Sequence, residues 1–307
     1  MKRNLESAGL YTIDPFHGSV PTPARARSAG HDALVTMVGL GGTGAFLAED
    51  LARLFSVHFG WRLRLTLVDH DVVEEHNEQR QAFSKQDRGR YKAQVVGERL
   101  VRQFPVEVVL SLAPYDHHRD APLDERGDAR SRLSLLVGCV DNPLARCELA
   151  RTLRSDGYSQ PWWLDLGNGA ASGQILLGNT IRAEDLRGAF DPETHTCRAV
   201  PAPSLQAPEL LEAPVAALPA RDEDCAAAQA AGDQEPFVNR AIAALGLAIV
   251  TRLCQRRLTW RATYFDLDVG TLRYIHADPH DVANLVGVRT EKLLQRRMPL
   301  PDRRSTR

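Results

Sequence analysis

A glycine-rich turn is the first feature of the sequence that could bind a charged ligand. It lies between the apolar run ALVTMVG and the helical pattern AFLAEDLARLF. Because glycines lack side chains, the backbone can approach a phosphate, and the N-terminus of the following helix offers free N–H groups. The predicted phosphate-contacting residues are Gly39, Gly41, Gly42 and Gly44. Alone, this pattern does not separate an ATP site from an NAD or FAD site.

Charged side chains follow the second apolar run, RLRLTLVD. Asp69 at its end can accept hydrogen bonds from ribose hydroxyls, which suits NAD and ATP equally. Arg80 and Lys92 can neutralise phosphate oxygens, whereas a hydride-transfer site has little use for such a cationic pair. Either cation alone would indicate only surface charge, but the joint spacing favours ATP. The full predicted set is Asp69, Asp71, Asn77, Arg80, Gln81 and Lys92.

A third cluster, Asp141-Asn142, follows the apolar run LSLLVGCV. Ligands bind outside the carboxyl ends of strands in open parallel sheets, and a carboxylate there with triphosphate oxygens is a typical Mg²⁺ arrangement. Asp141 is therefore the predicted metal ligand, with Asn142 beside it at the nucleotide. The alternative for Asp141 is an N-cap of the helix that begins near Pro143. Arg146, one turn further on, is interpreted as structural.

The elements that must position these residues alternate between strand and helix. Besides the strands named above, VEVVLSLAPY is apolar, and helical spacing covers Arg90 to Phe104 and Leu144 to about Leu153. This alternation predicts a Rossmann-like α/β fold with a doubly wound, mostly parallel sheet. In the C-terminal half, PWWLDLGNGAASGQILLGNTIR and RATYFDLDVGTLRYIHA each surround a turn and predict antiparallel strands.

Composition excludes several classes of protein. The net charge of −1 argues against a nucleic-acid partner, which needs clustered positive charge. No apolar run reaches the ~20 residues of a membrane helix, and MKRNLESAGLYTIDPF lacks a signal-peptide core, so we expect no membrane contact and a cytoplasmic location. Five cysteines without a CxxC pair predict neither a disulfide framework nor a four-cysteine zinc site.

As a set, GxGGxG, DxD, NxxRQ, GxxK and the later Asp-Asn pair resemble the ThiF/MoeB and ubiquitin-activating enzyme superfamily over roughly residues 33–180. The runs WLDLGNGAASGQILLG and CAAAQAAGDQEPFVNRAIA are similar to ThiF-like proteins of the plasmid-borne PRTRC system. The resemblance implies an adenylyltransferase that uses ATP and Mg²⁺ on the C-terminal carboxylate of a small ubiquitin-like β-grasp protein ending in glycine. The products would be an acyl-adenylate and pyrophosphate, and most such enzymes are dimers.

The resemblance also implies roles for individual residues. Asp69 would hold the ribose, Asn77, Arg80 and Lys92 would contact phosphates, and Asp141 would hold magnesium. The sequence departs from the family at His76, where a serine is usual, and it lacks the cysteine pairs that bind structural zinc, so we expect no zinc. The N-terminal arginine that reaches the nucleotide has only positional candidates, Arg25 and Arg27.

Cys225 is the predicted acceptor of the activated carboxyl as a thioester. It precedes AAAQAA, a strong helix-forming run, and a helix N-terminus stabilises a thiolate, although the acidic residues 222–224 oppose this. The alternative is a small buried side chain that anchors the loop. Cys197, beside Arg198, is the second candidate. Packing roles are predicted for Cys139, Cys147 and Cys254.

The chain is predicted to divide into five segments. They are an N-terminal arm (1–30), an ATP-binding adenylation core (31–182), a long crossover loop (183–235), a helix and hairpin that complete the same domain (236–280), and a basic tail (281–307). Phe237 to Cys254 and the hairpin after it offer more apolar surface than one sheet edge needs, which predicts a twofold homodimer.

Two other functions fit part of the pattern. A nicotinamide-dependent oxidoreductase explains the glycines and Asp69 but gives Arg80, Lys92 and Asp141 no role. A non-catalytic, partner-binding ThiF-like module is expected to have lost the arginine, the lysine or the metal-binding aspartate, and all three are present.

Overall fold

An eight-stranded sheet forms the centre of the computed structural model, which describes residues 9–16, 32–122, 133–153, 161–212 and 237–294. In chain order the described strands are β1 (Thr12–Ile13), β2 (Asp32–Val38), β3 (Arg62–Val68), β4 (Glu107–Ser111), β5 (Leu133–Gly138), β6 (Trp162–Asn168), β7 (Ser172–Gly178), β8 (Phe190–Asp191), β9 (Thr196–Cys197), β10 (Trp260–Asp266) and β11 (Thr271–His276). The helices are α1 (Gly42–Ala52), α2 (Lys92–Gln103), α3 (Pro143–Thr152), α4 (Pro203–Gln206), α5 (Val238–Cys254), α6 (Pro279–Val286) and α7 (Thr290–Leu294).

The large sheet has the order β11-β10-β7-β6-β5-β2-β3-β4. Strands β4, β3, β2, β5 and β6 are parallel, and β7, β10 and β11 complete the sheet in antiparallel pairs. The predicted fold class is confirmed. The chain passes outward from β2 to β4 and then returns to place β5 on the other side of β2. Ligands of open α/β sheets bind at such a switch point.

Helices cover both faces of the central parallel strands β2, β5 and β6, which explains the nearly continuous apolar sequences of these strands. All six residues of β5 are buried. On one face Leu47 of α1, Val96 of α2 and Ile242 of α5 join the main core, and on the other Leu149 of α3 packs in a second cluster. The strand ends are thereby held rigidly where the predicted site lies.

The N-terminal segment 9–16 is packed against the domain, which corrects the prediction of an arm over residues 1–30 in this part. Ile13 is fully buried, and β1 pairs in parallel with β9, with Ile13 opposite Cys197. A two-residue strand has no periodicity to detect, so no sequence pattern predicts it. The rest of the predicted arm, residues 1–8 and 17–30, lies outside the described residues.

Two other predicted segments are also more ordered than expected. Residues 183–212 of the predicted crossover loop contain β8, β9, α4 and the 3-10 turns Ala183–Leu186 and Pro208–Leu211, with Phe190 buried. Residues 281–294 of the predicted basic tail belong to α6 and α7, and Leu293 is buried. Single apolar residues anchor these short elements, so neither segment shows a repeating pattern.

Helix α5 uses its apolar surface within the domain, where it packs against α1, β6 and β7. The exposed large apolar side chains of this region are Phe237, which directly precedes α5, and Tyr264, Leu267, Val269, Leu272 and Tyr274 of the β10–β11 hairpin. The body of α5 is therefore used within the domain, and the predicted dimer surface is left to Phe237 and the hairpin. Within the described ranges, every helix is too short or too polar to cross a bilayer.

Candidate nucleotide site

The glycine turn between β2 and α1 gives each of three glycines a different task. Gly39 has φ +87°, and a Cβ there would lie 2.4 Å from the carbonyl oxygen of Cys139. A Cβ on Gly44 would lie 1.9 Å from the carbonyl oxygen of Gly39. A Cβ on Gly41 would meet only the Gln81 amide, at 3.8 Å. Turn, close packing and open approach are the three roles expected in a dinucleotide-type turn.

Helix α1 begins directly after the open glycine. Gly41 is its N-cap and supplies no side-chain hydrogen bond, so the N–H groups of the first turn have no partner within the helix. These groups, at the positive end of the helix dipole, form an anion-binding site.

Asp69 at the end of β3 anchors this turn. Its Oδ2 accepts a hydrogen bond from the Leu40 N–H at 2.6 Å, and its Oδ1 accepts one from the Asp71 N–H at 2.8 Å. Burial raises the pKa of the Asp69 carboxyl, and these two hydrogen bonds oppose the rise. Each carboxylate oxygen has capacity for a second hydrogen bond, so ribose binding is compatible with this geometry.

Lys92, the first residue of α2, reaches the same edge of the sheet. Its Nζ lies 2.8 Å from Asp71 Oδ2, and its side chain is 9% exposed against 56% for Asp71. Asp71 therefore neutralises a largely buried ammonium group from the solvent side. Phosphate oxygens entering from the same side could share or replace that carboxylate.

Only part of the segment 77–81 lines the cavity. Arg80 and Gln81 line it, and Gln81 Oε1 is buried without a hydrogen-bond donor. Asn77 instead accepts the Glu74 N–H at its Oδ1 (2.8 Å) and closes a capping box of the 3-10 turn Glu75–Gln79. Asn77 is not among the cavity-lining residues, so its predicted phosphate contact stays a prediction.

Asp141 lies between β5 and α3 with its carboxylate exposed and lining the cavity. The N-cap of α3 is Asn142, whose Oδ1 accepts the Ala145 N–H at 2.8 Å. The alternative interpretation of Asp141 as that cap is therefore wrong. Apart from a 3.5 Å contact with the Asn142 amide, the carboxylate of Asp141 remains open to a cation.

A second acidic group, Asp69, His70 and Asp71, has side-chain atoms within 4.8 Å of one another. Both Asp69 oxygens already accept backbone N–H groups, and Asp71 pairs with Lys92. The protein's own donors thus satisfy this group.

The buried pair Arg146–Asp165 was half missed by the sequence reasoning. Arg146 Nε lies 3.2 Å from Asp165 Oδ2, and Asp165 is fully buried on β6. Burial raises the pKa of Asp165 to about 6, although Arg146 opposes the rise. The structural interpretation of Arg146 agrees with this contact. Asp165 had no signal beyond being a charged residue in the apolar run PWWLDLGN.

Two asparagines that the sequence reasoning did not select complete the floor of the site. Thr43 Oγ1 lies 3.2 Å from Asn168 Oδ1 and 3.3 Å from Asn239 Oδ1, and Asn239 Nδ2 donates to the Arg80 carbonyl at 3.3 Å. A Cβ on Gly42 would lie 2.3 Å from Asn239 Nδ2. The available signal was an asparagine in the first turn of an otherwise apolar helix.

One cavity of about 1150 Å³ joins these groups. The predicted residues that line it are Gly39, Gly41, Gly42, Asp69, Asp71, Arg80, Gln81, Lys92, Asp141 and Asn142. Gly44 and Asn77 lie behind it. The cavity continues past the nucleotide-type turn to the antiparallel strands, where Gln174, Tyr264 and Arg273 line it.

The cysteines are distributed differently from the prediction. Cys197 is fully buried and burial raises the pKa of its thiol, so it does not suit a reactive acceptor. Cys139 packs against the main core as predicted, and burial raises the pKa of its thiol, but Cys139 and Cys147 also line the cavity. Cys254 keeps its predicted place in the core. Cys225, Arg25 and Arg27 lie outside the described residues.

The sheet order and the glycine turn at its switch point define a Rossmann-like α/β protein with a nucleotide-type site. The ThiF family model matches residues 25–162 of the chain. No curated protein sequence matches the chain.

Solved structures show the same fold at low sequence identity. Escherichia coli MccB is 15% identical with a TM-score of 0.53, covering 85% of this chain and 66% of MccB. MccB solved with ATP is 16% identical with a TM-score of 0.51, covering 85% and 68%. PaaA is 15% identical with a TM-score of 0.51, covering 85% and 68%. The chain thus spans about two thirds of the length of these proteins.

Proposed function

We propose that this chain is an adenylyltransferase that activates a carboxylate with ATP. The observation that carries the proposal is a single cavity lined by three residues, Gly41, Lys92 and Asp141. Gly41 has open space beside it, the Lys92 side chain is largely buried, and the Asp141 carboxylate does not cap the following helix. Gly41 leaves room for phosphate, and the first turn of α1 offers N–H donors to it. The match of the ThiF family model to residues 25–162 supports the proposal.

The residues present fit Mg²⁺ at one place. Asp141 is a hard oxygen ligand, exposed in the cavity and relieved of helix capping by Asn142. Magnesium held there with triphosphate oxygens would neutralise charge on the polyphosphate.

Adenylation of a carboxylate depends more on neutralising negative charge than on proton transfer. A C-terminal carboxyl has a pKa of ~3.3–3.7, so it is already an anion at neutral pH and needs no general base. Its attack on the α-phosphorus forms the acyl-phosphate bond and breaks the bond to pyrophosphate, which leaves as the anion. Arg80 and Lys92 would lower the barrier to bringing an anion against a polyanion, and single preorganised groups of this kind contribute roughly 3–4 kcal/mol.

For the carboxylate donor we propose the C-terminal glycine of a small ubiquitin-like protein. The cavity beyond the nucleotide end, lined by Gln174, Tyr264 and Arg273, is open to a peptide segment. E. coli MccB has been solved with N-formylated MccA, which is compatible with a peptide or protein partner for this fold. Membership of the PRTRC subfamily, a homodimer and a cytoplasmic location belong to the same proposal, and thioester formation on Cys225 would follow adenylation.

The test is ATP–pyrophosphate exchange in the presence of candidate ubiquitin-like partners. Asp141→Ala should abolish exchange with the fold intact, and Glu107→Ala, an exposed acid on β4 at the far edge of the sheet, is the matched control. Exchange at the wild-type rate in Asp141→Ala would contradict the metal assignment.

Two further measurements separate the alternatives. Thermal stabilisation by NAD but not by Mg²⁺–ATP would favour the oxidoreductase, and Mg²⁺–ATP binding without exchange would favour the partner-binding module. A reductant-sensitive adduct on a non-reducing gel, lost in Cys225→Ala, would establish the thioester. An adduct that persists in Cys225→Ala would exclude that cysteine.

A further inference from the structure

Arg146 holds the turn that carries Asp141. Its Nη2 donates a hydrogen bond to the carbonyl oxygen of Val140 at 2.7 Å, and Val140 directly precedes Asp141. On the other side of Asp141, the Asn142 side chain is committed to the N-terminus of α3. The peptide group before Asp141 and the side chain of the residue after it are therefore both held by hydrogen bonds with α3.

Asp165 orients the guanidinium that makes this contact. Arg146 Nε lies 3.3 Å from Asp165 Oδ1 and 3.2 Å from Oδ2. Asp165 is opposite Gly138 in the β5–β6 register, and a Cβ on Gly138 would lie 3.0 Å from Asp165 Oδ1. Because Gly138 at the end of β5 has no side chain, the Asp165 carboxylate has room beside it. Arg146 alone connects this carboxylate to the turn that carries Asp141, since it contacts both Asp165 and the Val140 carbonyl.

Stability alone does not account for this pair. The desolvation cost of a buried ion pair offsets much of its attraction, and well-packed apolar residues of similar volume often stabilise as well or better. What an apolar pair cannot supply is a donor to the Val140 carbonyl. The specific contribution of the Arg146–Asp165 pair is thus to hold the Val140–Asp141 peptide group in position.

We infer that Arg146 and Asp165 are positioning residues that fix the orientation of Asp141 toward the metal-bound nucleotide. The inference rests on the proposed function, because it takes Asp141 as the magnesium ligand. Residues that orient a metal ligand through hydrogen bonds typically cost 10–100-fold in metal affinity when they are changed.

The key variant is Arg146→Lys, which keeps a cation beside Asp165 but removes the forked donor that reaches Val140. We expect the Mg²⁺ concentration for half-maximal ATP–pyrophosphate exchange to rise by about tenfold or more, while KM for ATP at saturating Mg²⁺ changes much less. Arg64→Lys, in an exposed pair with Glu107 on the far edge of the sheet, is the matched control.

Because a buried partner left alone can unfold the protein, the second variant is the double change Arg146→Met with Asp165→Leu. It should keep a cooperative thermal unfolding transition near that of the wild type and show the same raised Mg²⁺ requirement. A normal Mg²⁺ requirement in both folded variants would overturn the inference. A raised KM for ATP with an unchanged Mg²⁺ requirement would also overturn it, since Arg146 would then contact the nucleotide directly.

A binding measurement separates this inference from the proposed function. Calorimetric titration of wild type and variants with Mg²⁺ and a non-hydrolysable ATP analogue needs no turnover. If the wild type shows no exchange but binds the analogue with Mg²⁺, the adenylation proposal fails while a tenfold weaker Mg²⁺ dependence in Arg146→Lys still supports the positioning role. If the wild type does not bind the analogue, both fail.

Discussion

The two halves of the large sheet place their residues at the cavity in different ways. In the parallel half, the central strands β2, β5 and β6 are largely buried, and the cavity residues extend from the carboxyl ends of the strands on short turns. In the antiparallel half, β11 is an exposed edge strand, and Gln174, Tyr264 and Arg273 line the cavity from the strands themselves. The cavity is lined by charged side chains where the parallel strands end. At the antiparallel strands the cavity is open, and its lining combines polar, aromatic and charged side chains.

Under the proposed function, the two ends of the cavity would have different tasks. A nucleotide triphosphate has a fixed shape and charge, and a preorganised set of donors on buried strand ends suits it. A protein partner would require an accessible surface, which the hairpin end of the cavity provides among the described residues. Paired substitutions in the two halves test this difference.

The largest effect is expected for Gly44→Ala in the parallel half. Its Cβ would lie 1.9 Å from the Gly39 carbonyl, so the turn or α1 must move, at a cost of about 3 kcal/mol or more. In the hairpin, Gly270 has φ +66° and open space around it, so Gly270→Ala should cost only about 1 kcal/mol of backbone strain. Urea unfolding measures both, and equal losses would contradict the comparison.

The next effect concerns charge at the two ends. Lys92→Ala should lower ATP–pyrophosphate exchange by about 10²-fold, because phosphate neutralisation is lost, and Arg80→Ala should act in the same direction. Arg273→Ala should raise KM for the partner protein and leave KM for ATP close to the wild-type value. Steady-state kinetics with each substrate varied separately would detect the opposite pattern.

A smaller, pH-dependent effect is expected at Asp165 on the last parallel strand. Its pKa in the folded protein, about 6, lies above the ordinary value of ~3.9, so the folded state binds the proton more tightly. The stability that this group contributes is therefore full below about pH 4 and is lost as the pH rises through about 6. Melting temperatures of wild type and Asp165→Asn between pH 4 and 7 should show the wild type declining relative to the variant. A constant difference would contradict the raised pKa.

The smallest effect on stability is expected at the hairpin. Leu272→Lys should change the free energy of unfolding by roughly 0.5 kcal/mol or less, because the side chain is exposed, yet it should convert the proposed homodimer to a monomer. Val109→Lys, on the exposed face of β4 at the opposite edge, is the control. Light scattering that shows a wild-type monomer at all concentrations would exclude the dimer.

The parallel half could be predicted from sequence because its signals are local. Continuous apolar strands, helical spacing and a glycine turn each occupy fewer than twenty neighbouring residues, and the end of each strand marks the edge where ligands bind. Asp69, Lys92 and Asp141 were found in this way, and the structure brings them to one cavity.

The features that could not be predicted are contacts between residues far apart in the sequence and elements of only two or a few residues. Asp165 meets Arg146 only because β6 lies beside β5, and Asn239 meets Thr43 across 196 positions. The strand β1 has two residues, too few for any periodicity. Such contacts depend on the finished topology, and no window of sequence contains both partners.

The bond between Thr43 and Asn239 also sets an order of events during synthesis. The glycine turn leaves the ribosome long before α5, and at about 5–20 residues per second the intervening 196 positions take roughly 10–40 s to translate. Until α5 docks, Asn239 is not yet in place beside Gly42, and α5 does not yet cover the apolar face of α1. The nascent segment that carries the glycine turn therefore keeps exposed apolar surface during this time, and the floor of the nucleotide site is completed only after α5 has emerged.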